Sequence, residues 1–277
     1  MSEAPPLAQE LALAIRLARE AGAAIERIRE RGFTAQAKSD RSPVTEADLA
    51  ADAVIRAGLT ATYPADGILS EESGATPGPP RARTWVVDPL DGTEAFVDGE
   101  ARGYAVQIGL LIGEAPALGV VYEAHEDRLW WAVRGQGTHL EAHGATSGPL
   151  RVSARADLAG MPLVTSTRVD RARLARLLAV GLPDGGRLRS VGVKVGELVS
   201  GRADVYVSEH PISYWDSCAP LVVLEEAGGV ITHLGGAPFE YALDPARGAR
   251  HEGPLVASNG TRHAALCAAF TAAWNEG

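Results

Sequence analysis

Between Trp85 and Thr93 the chain reads Trp-Val-Val-Asp-Pro-Leu-Asp-Gly-Thr, an apolar run that ends in two carboxylates three residues apart. Pro89 disfavours helical angles at Asp88, so the chain arrives extended and Asp88 can point off a strand end. Gly92 permits a tight turn at unusual φ, and the amides of Gly92 and Thr93, where they open a helix, form a cradle for an anion such as phosphate. Asp88 and Asp91 cannot both ionise at low cost side by side unless a cation lies between them. An Asx-type turn at a strand end is the plain alternative for the same letters. Two further segments enlarge the set. Leu69-Ser-Glu-Glu-Ser73 puts Glu71 and Glu72 after a short apolar run, as ligands or as solvated acids. Tyr214-Trp-Asp-Ser-Cys-Ala-Pro220 opens a helix with Asp216 as its N-cap, a role that by itself accounts for an aspartate there. Together Glu71, Asp88, Asp91 and Asp216 are the hard oxygen donors that Mg²⁺ prefers, with positions left for water and a substrate phosphate.

No competing nucleophile is visible: there is no G-x-S-x-G elbow, no cysteine with a supporting histidine motif and no H-E-x-x-H. Gly135-Gln136-Gly137 lies between strand-like runs with no helix behind it and reads as a hairpin turn rather than a phosphate loop. His139 and His143 fall in a turn-rich strand region and read as solvated side chains.

In these motifs the sequence resembles the lithium-sensitive, magnesium-dependent phosphatases: inositol monophosphatases, 3'(2'),5'-bisphosphate nucleotidases and related fructose-1,6-bisphosphatases. The resemblance runs from Lys38-Ser-Asp-Arg-Ser-Pro-Val-Thr-Glu-Ala-Asp48, through Glu71-Glu72 and Asp88-Pro-Leu-Asp-Gly-Thr93, to Trp215-Asp216 and Glu226-Ala-Gly-Gly229. It implies that Glu71, Asp88, the Leu90 carbonyl, Asp91 and Asp216 hold two or three Mg²⁺. It also implies that Asp91, Gly92 and Thr93 seat the phosphate, and that Thr93 and Glu71 orient the attacking water, with Asp48 helping through the threonine. The implied fold is a layered αβαβα sandwich, often a homodimer, and lithium sensitivity would go with it. Within the superfamily, Lys194, ten residues before Asp204, and Trp215 to Pro220 look more like the nucleotidase branch, which takes adenosine 3',5'-bisphosphate to AMP and phosphate; Lys194 would then reach the second phosphate, or else be a lysine on a helix surface. Glu209, seven residues before Asp216, instead matches in spacing the glutamate that binds a ring hydroxyl in inositol monophosphatases. Inositol monophosphatase or fructose-1,6-bisphosphatase activity by the same mechanism is therefore the alternative, and a non-catalytic binding protein on this fold is the alternative of a different class.

These residues have to be positioned by the elements around them. Residues 5 to 31 place Leu7, Leu11, Ile15, Ala18, Ile25 and Ile28 on one helical stripe that Gly32 ends. A second helix starts at a Thr45–Asp48 capping box and runs to about Tyr63. Gly74 to Pro80 reads as a loop, and Trp85–Val87, Tyr104–Ile112, Ala117–Tyr122 and Leu129–Val133 as an antiparallel meander. The second half alternates: strand 162–166, helix 170–180, helix 193–200, strand 203–207, helix 216–227, strand 229–233. This rhythm predicts an N-terminal α+β domain over 1–154, carrying most metal ligands, and a C-terminal α/β domain over 155–277, supplying Asp216. Six arginines between Arg168 and Arg189 (168, 171, 173, 176, 187, 189) lend positive potential near the mouth, or solvate a helix face at Arg171, Arg173 and Arg176.

The 277 residues are 46% hydrophobic, 22% charged and 5% aromatic, a balance that fits a folded globule with a sizeable core. A net charge of -9 opposes wrapping by duplex nucleic acid. The longest uncharged apolar stretches are far short of a membrane helix. Two cysteines, Cys218 and Cys267, make no disulfide framework, and the opening residues lack a signal-peptide layout, so the expected location is the cytoplasm and the expected partner a small phosphorylated molecule.

Overall fold

A computed structural model describes residues 7–37, 43–76, 81–243 and 248–275. Lys38 to Ser42 of the motif stretch, Pro5 and Pro6 of the first predicted helix, and 77–80 of the predicted loop lie outside the described residues. The first helix, α1 (Ala8–Arg31), buries Leu13, Leu17, Ala18, Ala21, Ile25 and Ile28. Its buried stripe thus runs through Leu13 and Leu17, with Leu7, Leu11 and Ile15 only partly covered, because α1 packs both on α2 (Glu46–Thr62) and on the sheet. A short ribbon, β1 (Ala35–Ala37) with β2 (Pro43–Thr45), leads into α2.

The main sheet is built from β3 (Gly67–Ser70), β4 (Gly74–Ala75), β5 (Arg83–Asp91), β6 (Ala105–Ile112), β7 (Ala115–Glu123), β8 (Arg128–Val133), β9 (Thr138–Ala142) and β10 (Ala145–Leu150). Its order is β10-β9-β8-β7-β6-β5-β3-β4, antiparallel throughout except for the parallel β3–β5 pair. The predicted meander is there, and it extends to β10; Gly74 and Ala75, expected in a loop, pair with Ser70 and Leu69 instead. Between β5 and β6 comes a short helix, α3 (Thr93–Val97). The second sheet is mixed, in the order β12-β11-β13-β15-β14, from β11 (Leu163–Thr165), β12 (Asp184–Arg187), β13 (Val205–Ser208), β14 (Val230–His233) and β15 (Leu255–Ser258).

Helices fill the remaining layers. α1 and α2 cover one face of the main sheet; α5 (Val191–Val199) and α6 (Tyr214–Glu226) lie between the sheets; α4 (Arg171–Leu178) and α7 (His263–Asn275) cover the far side of the second sheet. The architecture is therefore the layered α+β sandwich, helix-sheet-helix-sheet-helix. Two glycines make the central contact possible. Gly109 of β6 and Gly119 of β7 face each other across the ladder, and α6 sits directly on them. A Cβ on Gly109 would fall 2.6 Å from Cys218 Sγ, and one on Gly119 would fall 2.3 Å from the Ala219 carbonyl oxygen, so side chains there would lift the helix off the sheet. Cys218 is accordingly a packed, fully buried small residue.

Candidate active site

The β5 strand runs inward until Asp88 and is then interrupted: pairing with β6 shifts register between Asp88 and Asp91. Leu90 N–H donates to Asp88 Oδ1 at 3.0 Å, the Asx turn that the sequence allowed. Asp88 Oδ2 is left buried with no hydrogen-bond partner. Asp91 then ends the strand, and Gly92, at φ 90°, turns the chain into α3. This turn is open only to glycine, since a Cβ there would lie 2.2 Å from the Gly103 carbonyl oxygen.

Asp216 arrives from α6. Ser213, not Asp216, is the N-cap; Asp216 stands three residues later and completes a capping box by accepting from Ser213 N–H at 2.6 Å. The sequence assignment fails because Ser213 lies one turn earlier and takes the extended cap conformation itself. The change of role places Asp216 beside the strand end: carboxylate oxygens of Asp88, Asp91 and Asp216 all lie within 4.8 Å of one another. Glu71, which follows β3, lines the same cleft with Leu90, Gly92 and Thr93.

The charges of this set raise one another. Burial, then the charges of Glu71, Asp91 and Asp216, holds Asp88 well above the usual carboxylate range. Burial pushes Asp91 up to about 6, against hydrogen bonds from Ser190 and Gly192. Burial and then Asp91 and Glu71 push Asp216 up to about 8. Hard oxygens from two buried carboxylates and one half-buried one, with one orphaned acceptor, suit a divalent cation, which removes both the repulsion and the missing bond.

Asp48 lies opposite. Its Oδ2 accepts from Thr45 N–H and Thr45 Oγ1, both at 2.7 Å, in the predicted capping box, and its Oδ1 is 2.9 Å from Thr93 Oγ1. Thr93 Oγ1 is also 3.0 Å from the Leu90 carbonyl. Burial raises the Asp48 carboxyl above its usual range. A cap of α2 is thereby tied to the first residue of α3, next to the acids.

The structure also shows supports that the motifs did not reveal. Asp91 Oδ2 accepts from Ser190 Oγ, from Gly192 N–H at 2.9 Å and from Gln107 Nε2. Ser190 caps α5 as well, accepting from Val193 N–H at 2.9 Å. A cap signal stood in Ser190-Val-Gly-Val, but its contact with Asp91 joins the main sheet to the helix layer across 99 residues and has no local signature.

Two expected substrate contacts differ. Lys194 is not a surface lysine: it is 1% exposed and lines the cleft, and Nζ donates to the carbonyls of Leu188 at 3.1 Å and Arg189 at 2.9 Å, over the Tyr206 ring. Burial lowers its pKa to about 8 against the pull of Asp91 and Asp216. Glu209 turns away: Oε2 accepts from Arg173 Nη1 at 3.0 Å, while its neighbours Ser208 and His210 line the cleft. Arg173 is thus an ion-pair partner rather than part of a solvated face, and of the six arginines it is Arg168 and Arg189 that reach the cleft.

The chain matches the model of the Inositol monophosphatase family over residues 7–275. It belongs to this family. Like other members it is a phosphomonoesterase, metal-dependent in keeping with its acidic cluster. Among inositol monophosphatase relatives, it is 36% identical over 229 residues to the histidinol-phosphatase of Mycobacterium tuberculosis, 82% of this chain and 84% of that one. It is 32% identical over 254 residues to the inositol monophosphatase of Mesembryanthemum crystallinum, 88% of this chain and 92% of that one. The structure of an inositol monophosphatase from Anabaena superposes with a TM-score of 0.77 at 28% identity, covering 97% of both chains. Among the described residues no helix of this family member is long and apolar enough to cross a membrane.

Proposed function

We propose that the chain is a Mg²⁺-dependent phosphatase of small alcohols bearing a single phosphate, with histidinol phosphate ahead of inositol 1-phosphate. The observation that carries this reading is Lys194, which lines the cleft but commits two of its three ammonium donors to backbone carbonyls. The cleft volume of about 280 Å³, at the lower end for small-molecule sites, favours a compact ester as well. The position of Glu209 on Arg173 removes the carboxylate expected to receive a polyol hydroxyl, and the most identical relative described above is named a histidinol-phosphatase.

Glu71, Asp88, Asp91, Asp216 and the Leu90 carbonyl would hold the ions. Bound Mg²⁺ supplies an acidified water and screens charge on the phosphoryl oxygens. The chain does the rest. The N–H groups of Gly92 and Thr93 at the start of α3 seat the phosphate. Thr93 Oγ1 donates its proton to Asp48 Oδ1, which turns the hydroxyl oxygen toward the attacking water as an acceptor; Asp48 takes the proton passed along this pair. The tie of Asp48 to Thr45 fixes its direction.

The nucleotidase reading stays as the second one, favoured by Arg168, Arg189 and Arg250 around the mouth. Phosphate release from histidinol phosphate, inositol 1-phosphate, fructose 1,6-bisphosphate and adenosine 3',5'-bisphosphate, with and without Mg²⁺, separates the two. The expected result is a kcat/KM for a single-phosphate ester about tenfold or more above either bisphosphate, with activity lost by orders of magnitude in Asp91→Asn. A preference for the nucleotide bisphosphate establishes the second reading, and near-normal activity of Asp91→Asn rejects both.

A further inference from the structure

Glu94 is the residue after the phosphate-seating Thr93, and it faces the cleft. Its two oxygens hold two different arginines. Oε1 pairs with Arg168 Nη2 at 2.6 Å, and Oε2 with Arg189 Nη1 at 3.3 Å. Arg168 comes from the turn after β11, and Arg189 from the link between β12 and α5, so one carboxylate on the main-sheet side gathers two guanidiniums from the opposite wall. Arg189 is held further by Asp98 at 2.6 Å and Glu100 at 3.2 Å, and its backbone carbonyl by Lys194.

Two guanidiniums beside a phosphate seat are the usual receptor for a second phosphate or a carboxylate, because the planar forks match oxyanions. Here the receptor is filled by a carboxylate of the chain itself. An external anion has to displace Glu94 from both arginines, and it also meets Asp98 and Glu100 behind them. Neutral or cationic leaving alcohols meet no such competitor. We propose that Glu94 is a specificity-determining residue, an internal anion that closes the arginine pair to substrates with a second acidic group. This rests on the single-phosphate reading above and supplies its physical cause.

The test is Glu94→Gln, which keeps the size and removes the charge. The measured quantity is kcat/KM for adenosine 3',5'-bisphosphate and fructose 1,6-bisphosphate divided by that for the best single-phosphate ester; where a bisphosphate is not cleaved, its Ki against single-phosphate turnover takes the place of KM. The ratio should rise about tenfold, through KM or Ki rather than kcat, as expected when a competing charge at a cleft mouth is removed. Adding Arg168→Ala to Glu94→Gln should cancel the gain. A purely structural role for Glu94 would lower both activities together and leave the ratio where it was. Should Glu94→Gln fail to fold, Glu94→Asp, too short to span both arginines, should give a smaller rise in the same direction. An unchanged ratio in a wild type that prefers single-phosphate esters overturns the role of Glu94 alone, as does a gain that survives without Arg168. A wild-type preference for a bisphosphate overturns this role and the single-phosphate reading together.

Discussion

Replacing Gly119 by alanine adds one methyl group far in sequence from any proposed ligand, yet it should weaken the metal site. The new Cβ would stand 2.3 Å from the Ala219 carbonyl oxygen, where ordinary contact begins at 3.4 Å. Relief requires α6 to move by about 1 Å, since the nearest atoms are backbone and cannot rotate away. Asp216 lies one turn before Ala219 on the same helix, so its carboxylate leaves the position it shares with Asp88 and Asp91. Overpacking of this size costs about 1–3 kcal/mol of stability, and a catalytic group misplaced by about 1 Å costs on the order of 100-fold in rate. The assay is phosphate release against Mg²⁺ concentration at saturating ester, with thermal unfolding in parallel. Gly160→Ala is the control: nothing lies within 4 Å of its Cβ, and its stability should stay within about 0.5 kcal/mol of wild type. A folded Gly119→Ala protein with an unchanged Mg²⁺ requirement and a rate within about twofold of wild type would refute the claim that helix-to-sheet approach sets the ligand geometry.

Two further outcomes follow from the same site. Asp48→Asn should lower kcat by about 10²–10⁴ if the Thr93–Asp48 pair moves the proton, with little change in the Mg²⁺ requirement; a normal rate-against-pH profile in this variant contradicts the assignment. Without metal, the fold should lose stability as pH rises from about 4 to 8: Asp216 has a pKa near 8 in the folded chain against about 3.9 unfolded, so across that window the native state binds more protons and deprotonation favours unfolding. Melting temperatures in EDTA should therefore fall with pH, and excess Mg²⁺ should flatten the fall; parallel curves would show that the carboxylates do not bind the ion.

What could be read from the letters alone is what is local. The Thr45–Asp48 box and the Asp88-Pro-Leu-Asp-Gly-Thr turn each state their geometry within a few residues, and the structure keeps both. Lys194 could not be placed this way, because α5 lies between two sheets and its ammonium is turned inward onto the Tyr206 ring and the carbonyls of Leu188 and Arg189. Glu209 could not either: its partner Arg173 is 36 residues away. The edge strand β10, rich in small and polar residues, and β15 with α7 beyond residue 233, have too little hydrophobic period to announce themselves. The support of Asp91 from Gln107 emerges only when β5 pairs with β6, and those from Ser190 and Gly192 only when two layers meet.

The covering of Lys194 has a consequence for how the cleft responds to its medium. The chain contains one other lysine, Lys38, and all its remaining strong bases are arginines, whose guanidinium stays protonated at any pH a cell reaches. The positive field that Arg168, Arg189 and Arg250 cast over the entrance is thus a constant, and acidification or alkalinisation acts deeper in the cleft, on the carboxylates and on Lys194.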